Sequence, residues 1–228
     1  MRKCKICRLF DIFLAIVLLV LCSPLFLLII IILKSTGEGE IFFLQQRVGQ
    51  NGKVIKIIKF ATMLKNSENI GTGTVTLKDD LRILPVGKFL RRTKLNETPQ
   101  LFNILIGNMS FVGPRPQTDR CFASFSEFDQ KIIVSVRPGL TGIGSIIFSA
   151  EEDLLCLDSQ AETVYDNEIM PFKAKLESWF IERHGVVMYF TLMFLTAWKL
   201  IFKSNRQVYR IFPEMPKPSS KLRNKLLN

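Results

Sequence analysis

Histidine is nearly absent from this chain: His184 is the only one in 228 residues. A histidine-built metal centre or a Ser-His-Asp triad therefore has almost no room, and His184 itself reads as a surface or interfacial residue. Cysteine is scarce as well. Five scattered thiols, an odd number, make no disulfide framework and suit a reducing compartment. Cys4-Lys5-Ile6-Cys7 has the C-x-x-C spacing without a second pair, which argues against zinc. Acidic residues are in short supply too, with 20 Asp and Glu against 31 Lys and Arg, a net charge of +11 and a pI near 9.6. Such an excess calls for an anionic partner: nucleic acid, anionic lipid or a phosphorylated substrate. No nucleic-acid module is recognisable, so no nucleic acid is expected among the partners.

What the chain does have is a long greasy run. Apart from Cys22 and Ser23, Ile12 to Leu33 is apolar throughout. At about 1.5 Å per residue it makes roughly 33 Å of helix, enough to cross a bilayer core. Ser23-Pro24 sits at its midpoint, and a proline there removes a backbone donor and bends or breaks the helix. Basic residues flank both ends: Arg2, Lys3, Lys5 and Arg8 before, Lys34, Arg47, Lys53, Lys56 and Lys59 after. The positive-inside rule then prefers both ends on one face. From these residues alone the run is a re-entrant hairpin, a proline-kinked span or a signal peptide. The last lacks a small-residue cleavage site and exceeds the usual apolar core of a signal. The membrane run favours lipid or phosphorylated substrate as the anionic partner, and one soluble domain of roughly 170–190 residues is expected to hang on it.

Ile41 to Phe60 reads as a β-hairpin, two strand-like runs around Asn51-Gly52, a dipeptide suited to a tight primed turn. Residues 66–80 read as a polar loop. Leu81 to Thr93 is a short basic amphipathic segment, with Leu81, Leu84, Phe89 and Leu90 set against Arg82, Lys88, Arg91 and Arg92. It lies in the headgroup plane or presents a solvated basic face. Leu95 to Gly107 reads as a helix with Asn96 as N-cap, Pro99 in the first turn and Gly107 at the exit. Glu97 would then sit at the positive end of the dipole, which favours its ionised form. In Gly113-Pro114-Arg115-Pro116 two prolines hold Arg115 stiffly, with its planar fork ready for phosphate. Arg137-Pro138-Gly139 opens a glycine-rich loop whose amides suit phosphate, and most such loops are merely turns. Residues 127–131 read as ordinary helix, and Glu151-Glu152-Asp153 as solvated surface. Val186 to Phe202 is an interfacial helix or a core helix. From Lys203 onward seven Lys or Arg face Glu214 alone, with three prolines, a composition that suits a disordered basic tail near anionic lipid.

Three blocks together carry a resemblance. Lys59-Phe60-x-Thr62-Met63 comes first, followed by Leu90-Arg91-x-Thr93-x-Leu95-x-Glu97-x-Pro99-Gln100-Leu101-x-Asn103. The third is Gly107-x-Met109-Ser110-x-Val112-Gly113-Pro114-Arg115-Pro116, and Arg137-Pro138-Gly139-Leu140-Thr141-Gly142 extends it. The chain resembles the bacterial sugar transferase family over residues 8–205. These are monotopic phosphoglycosyl transferases that move a sugar-1-phosphate from a UDP-sugar to polyprenol phosphate. The resemblance implies a mostly helical α+β fold with a re-entrant N-terminal helix broken at Ser23-Pro24, a β-hairpin and interfacial amphipathic helices. It implies an anchor over 1–36, a catalytic domain over 37–205 and a basic tail over 206–228. It also implies Mg²⁺ as cofactor with Glu97 as its first ligand, UDP-sugar, undecaprenyl phosphate and anionic lipids as partners, and the cytoplasmic face of a bacterial inner membrane as location. Catalytic roles fall to Asn96 and Glu97, and phosphate binding to Lys59, Arg91, Arg115 and Arg137.

Three departures from the family pattern stand out. The family carries Asp-Glu where this chain has Asn96-Glu97, and that aspartate is the proposed nucleophile, which a carboxamide cannot replace. Ala61 replaces an arginine, and Gly144-Ser145-Ile146-Ile147-Phe148 replaces the usual Gln and Asn-Gly-Arg elements. Joining two phosphates brings anions together at about 4 kcal/mol per pair of charges ~4 Å apart in an effective dielectric near 20. Cations must offset that cost. Three roles for the altered pair follow. Glu97 is itself the nucleophile; or Glu97 holds metal or acts as base while the lipid phosphate attacks directly; or the chain is a diverged, non-catalytic membrane partner of a glycan assembly system.

Overall fold

The computed structural model describes residues 5–70, 80–149, 161–202 and 205–219, with Leu222 and Leu226. Most of the 66–80 loop and the 151–153 acidic patch lie outside the described residues. The fold is α+β and mostly helical, with one long apolar N-terminal helix and two small two-stranded sheets.

Helix α1 runs unbroken from Lys5–Ser35, so Ser23 and Pro24, expected to break the run, lie inside one helix. The reason is local. Pro24 cannot donate to the carbonyl of Val20, four residues back. The Ser23 hydroxyl donates to that carbonyl instead, at 2.8 Å. Both halves of α1 bear on the rest of the protein. In the first half Arg8 donates to the carbonyls of Ile104 and Leu105 at 2.7 and 3.0 Å. Buried Asp11 accepts from the Ser110 hydroxyl, the Phe111 amide and the Tyr189 hydroxyl at 2.9, 2.9 and 2.6 Å. In the second half Phe26, Ile29 and Leu33 form a core with Phe60 and Leu90.

Strands β1 (Phe42–Val48) and β2 (Val54–Phe60) pair antiparallel in the register Phe42↔Phe60 to Val48↔Val54. The expected hairpin is there, with a wider turn than Asn51-Gly52 suggested. Gly49 donates to the Lys53 carbonyl, and Gln50–Gly52 form a single 3-10 turn with Asn51 and Gly52 both at positive φ. Helix α2 (Pro85–Arg92) follows. Arg82, placed on a charged outer face by its sequence, is instead buried on Asp80 and on two loop carbonyls, Ser67 and Ile70. A planar guanidinium satisfies several acceptors at once, which is why it can be buried here.

Helix α3 (Gln100–Leu105) buries Leu101 and Ile104, and Gly107 turns the chain out at φ 91. Its Asn103 has no exposed surface. The side-chain amide accepts from Ile58 N–H at 2.9 Å and donates to the Lys56 carbonyl at 2.7 Å, pairing with the free edge of β2 as a strand would. The short parallel pair β3 (Ser110–Val112) and β4 (Gly139–Thr141) brings the Gly113 and Gly142 loops into contact. A Cβ on Gly142 would stand 2.2 Å from the Gly113 carbonyl oxygen, so only glycine fits. Helices α4 (Asp119–Ala123), α5 (Glu127–Ile133) and α6 (Ile143–Ile147) pack around this centre.

Residues Ala161–Val164 and a π-turn at Tyr165–Ile169 lead into α7 (Met170–Arg183). Helix α8 (Val186–Ile201) is two-faced: Tyr189, Leu192 and Leu195 are buried, whereas Val187, Phe194 and Ile201 are exposed. Half-buried His184 joins these helices, with its ring on the Ile181 carbonyl. The stretch read as a disordered tail is ordered where described. It carries α9 (Arg206–Ile211) and buries Val208, Met215, Leu222 and Leu226. Its charges dominate the composition and conceal apolar residues spaced mostly by seven, enough for an anchored segment.

Candidate active site

The hairpin supplies the floor of a cleft. Gln45 and Arg47 alternate on β1, and Lys59 lies diagonally across on β2, facing the same way as Ile57 and Ile55. One acceptor, Oε1 of Gln45, takes Arg47 Nη2 at 2.6 Å and Lys59 Nζ at 3.3 Å. Arg47 also reaches the Pro116 carbonyl at 3.4 Å. Arg47, Ile57, Lys59, Gln100, Arg115 and Pro116 line the cleft, whose empty volume is about 200 Å³ including its open mouth.

Above this floor stands Glu97. Lys94, at φ 60, turns the chain, and Leu95–Glu97 make one 3-10 turn. Helix α3 begins only at Gln100, behind Pro99, with no side-chain cap. Asn96 is therefore not the N-cap its sequence position suggests. The left-handed residue resets the chain one step too early. Asn96 is buried, and its Oδ1 has no hydrogen-bond partner among the described residues. Glu97 meets Arg115 through both oxygens, Nη2–Oε1 at 2.5 Å and Nη1–Oε2 at 3.4 Å.

The electrostatics are lopsided toward positive charge. Burial alone would push the Glu97 carboxyl up; Arg115 and Lys59 outweigh it and hold it at about 2. It is the cations, not a helix end, that keep this group ionised. Burial, with Arg47 beside it, lowers Lys59 to about 7, and burial next to Arg115 lowers Arg47 to about 10. Arg91 reaches the Met63 sulfur at 3.9 Å, and its charge is also felt at Lys59. An anion entering this cleft would relieve repulsion among at least three cations, a preorganised arrangement for stabilising negative charge.

The structure thus brings together Lys59, Arg91, Glu97, Asn96 and Arg115 of the residues expected from sequence. Arg137 is not among the described neighbours of Glu97; its charge is felt at Arg8 of α1. Gln45 and Arg47 were missed. Their signal is weak, because Gln46 between them is polar too and alternation does not show which face Gln45 and Arg47 take.

Comparison with known proteins adds a family. The profile of the bacterial sugar transferases matches residues 2–203. The UDP-glucose:undecaprenyl-phosphate glucose-1-phosphate transferase of Klebsiella pneumoniae is 41% identical over 143 residues, 61% of this chain and 30% of that protein. The exopolysaccharide production protein ExoY of Sinorhizobium fredii is 38% identical over 156 residues, covering 61% and 67%. The UDP-N-acetylgalactosamine-undecaprenyl-phosphate N-acetylgalactosaminephosphotransferase of Aeromonas hydrophila is 37% identical over 150 residues, covering 63% and 34%. The chain spans about a third of the first and third relatives and two thirds of ExoY.

Proposed function

The chain belongs to the bacterial sugar transferase family, and from that premise we propose that it moves a sugar-1-phosphate from a UDP-sugar to undecaprenyl phosphate. UMP is released, and the product opens surface-glycan assembly. The observation that carries this reading is the cleft, where, among the described residues, Arg47, Lys59 and Arg115 stand around the ionised Glu97 carboxylate. A diphosphate would bring further negative charge to those cations.

In the direct route an oxygen of the lipid phosphate attacks the phosphorus next to the sugar. A new P–O bond forms as the bond to the bridging oxygen breaks, and UMP leaves with that electron pair. Arg115, Lys59 and Arg47 stabilise the charge spread over the transferring group. In the two-step route Glu97 attacks first, forming a mixed anhydride with the sugar phosphate, and the lipid phosphate then displaces Glu97. Both oxygens of Glu97 are held by Arg115, which favours the direct route with Glu97 as an organising group. The residues also fit a divalent cation: the Glu97 carboxylate and the unpartnered Oδ1 of Asn96 are adjacent hard oxygen donors of the kind Mg²⁺ takes. Bound there, magnesium would neutralise phosphate charge.

Location at the cytoplasmic face of the inner membrane is supported by apolar surface that water alone would leave uncovered. Leu9, Phe13, Val20, Leu21, Leu27 and Ile31 of α1 are exposed. Residues 1–36 are the proposed membrane anchor, and both halves of α1 hold it to the rest of the protein.

UMP release from UDP-glucose, UDP-galactose and UDP-N-acetylgalactosamine in the presence of undecaprenyl phosphate and Mg²⁺ tests the reading. Release with at least one donor is expected. None, from protein that still binds membranes, would identify a non-catalytic partner. Intact mass after incubation with the donor alone separates the routes, since an added sugar phosphate appears only in the two-step one.

A further inference from the structure

Arg115 lies between two carboxyl groups. Its side chain is on Glu97, while its main chain is on Glu177 of α7, a residue 62 positions away. Pro114 and Pro116 have no N–H, so the Arg115 amide is the only backbone donor in that tripeptide. The three carbonyls are met by Gly139 N–H at 2.9 Å, Gln117 Nε2 at 3.2 Å and Arg47 Nη1 at 3.4 Å. The lone donor goes to Glu177 Oε1 at 3.4 Å.

The same carboxyl takes the Gly144 amide as well. The approach is close: a Cβ on Gly144 would stand 2.4 Å from Oε1 and would push the carboxyl aside. Glu177 therefore ties the loop carrying Arg115 to the first turn of α6. It is 4% exposed, and its Oε2 has no hydrogen-bond partner among the described residues. The charged groups that bear on it are Arg115 from the loop and Lys173, one turn back on α7, which lies over the Phe148 and Tyr165 rings.

We infer that Glu177 is the positioning residue of this site: it sets the Arg115 main chain, and thereby the angle at which the guanidinium meets Glu97 and an incoming phosphate. The inference rests on the transferase reading above. Burial, outweighing both backbone donors and Lys173, raises the Glu177 carboxyl to about 8. At pH 7 it is a neutral acid, and Arg115 faces one carboxylate rather than two.

The test uses Glu177→Leu, which fills the space without an acceptor, and Glu177→Gln, which keeps the acceptor, both in the full chain in nanodiscs. Hydrogen exchange over residues 112–118 and UMP release are measured. In Glu177→Leu the Arg115 amide is expected to lose protection and kcat to fall about 100-fold, the scale of a misplaced catalytic group. Glu177→Gln is expected to keep both. Unchanged protection and kcat in Glu177→Leu would overturn the proposal. So would a Gln variant with full protection and no turnover, because the carboxyl would then be acting chemically. If Glu177→Leu does not fold, loss of Arg115 amide protection in Glu177→Gln, which keeps the acceptor, overturns it. If the natural protein releases no UMP with any donor, the transferase reading has failed, and the exchange experiment still decides whether Glu177 holds Arg115.

Discussion

The protein contains two forked arginine–carboxylate pairs that look alike on paper and differ in use. Arg82 binds Asp80 through Nε and Nη2 at 2.9 and 2.5 Å, and its Nη1 meets the Ser67 and Ile70 carbonyls, both at 2.8 Å. Both side chains are only 7% exposed, and among the described residues the pair is a buried clasp of one cation and one anion. Arg115 and Glu97 are 38% and 16% exposed and open on a cleft. There the pair is one carboxylate among several cations, so its charge is not balanced locally. A structural ion pair and a functional one are therefore told apart by what surrounds them. Where charges cancel the pair can only hold; where positive charge is left over it can bind.

Breaking the clasp is expected to have the largest effect. Arg82→Ala removes the guanidinium that forks onto buried Asp80, and should cost about 3–5 kcal/mol of stability. Thermal unfolding in detergent should show this, with UDP affinity of the folded fraction unchanged. The second pair should behave in the opposite way. Arg115→Ala is expected to lower kcat by about 100- to 1000-fold, as loss of a preorganised charge stabiliser does. Unfolding should move less than in Arg82→Ala, because Arg115 is partly exposed and Lys59 still stands beside Glu97. If the two variants exchanged phenotypes, the distinction between the pairs would be wrong.

Lys59 sharpens the comparison through pH. Its folded value of about 7 lies below the ordinary 10.5. Between those values the unfolded chain carries the proton and the folded one does not, so stability rises with pH across that window. Anion binding runs the other way. UDP affinity should weaken as pH rises above 7, by up to about tenfold per unit if the charged form alone binds. Titration calorimetry at pH 6.5, 7.5 and 8.5 reads this, and Lys59→Arg should flatten the profile. Smallest of all should be the exposed Lys65–Glu40 pair, at 3.0 Å with both side chains at least half exposed. Its removal should cost less than about 1 kcal/mol, visible only as a slight change in Tm.

Much of the site was legible because its residues are close in sequence or carry strong local chemistry. Glu97 and Arg115 were marked by a proline-bearing turn and by two flanking prolines, whereas Lys59 and Arg91 entered the candidate site through the family blocks. The hairpin followed from two strand-like runs about Asn51-Gly52. Asn96 was misassigned as a cap because caps depend on φ and ψ, and nothing local announces that Lys94 turns left-handed. Arg82 was misplaced because helical periodicity continued one turn too far back; the helix starts at Pro85. The tail was called disordered from its charge, whereas four apolar side chains decide its place. Glu177 lacked any signal, since one glutamate on a mixed helix is unremarkable until α7 carries it under the Arg115 loop.

The order of residues by itself determined the long apolar helix, the hairpin, the cationic excess and the stiff Arg115 between two prolines. These are properties of neighbours along the chain, where periodicity, proline geometry and composition act over a few residues. Tertiary structure alone decided which charges face one another. Whether a carboxyl holds its proton depends on burial and on cations from other elements, so Glu97 at about 2 and Glu177 at about 8 are the same side chain in two surroundings.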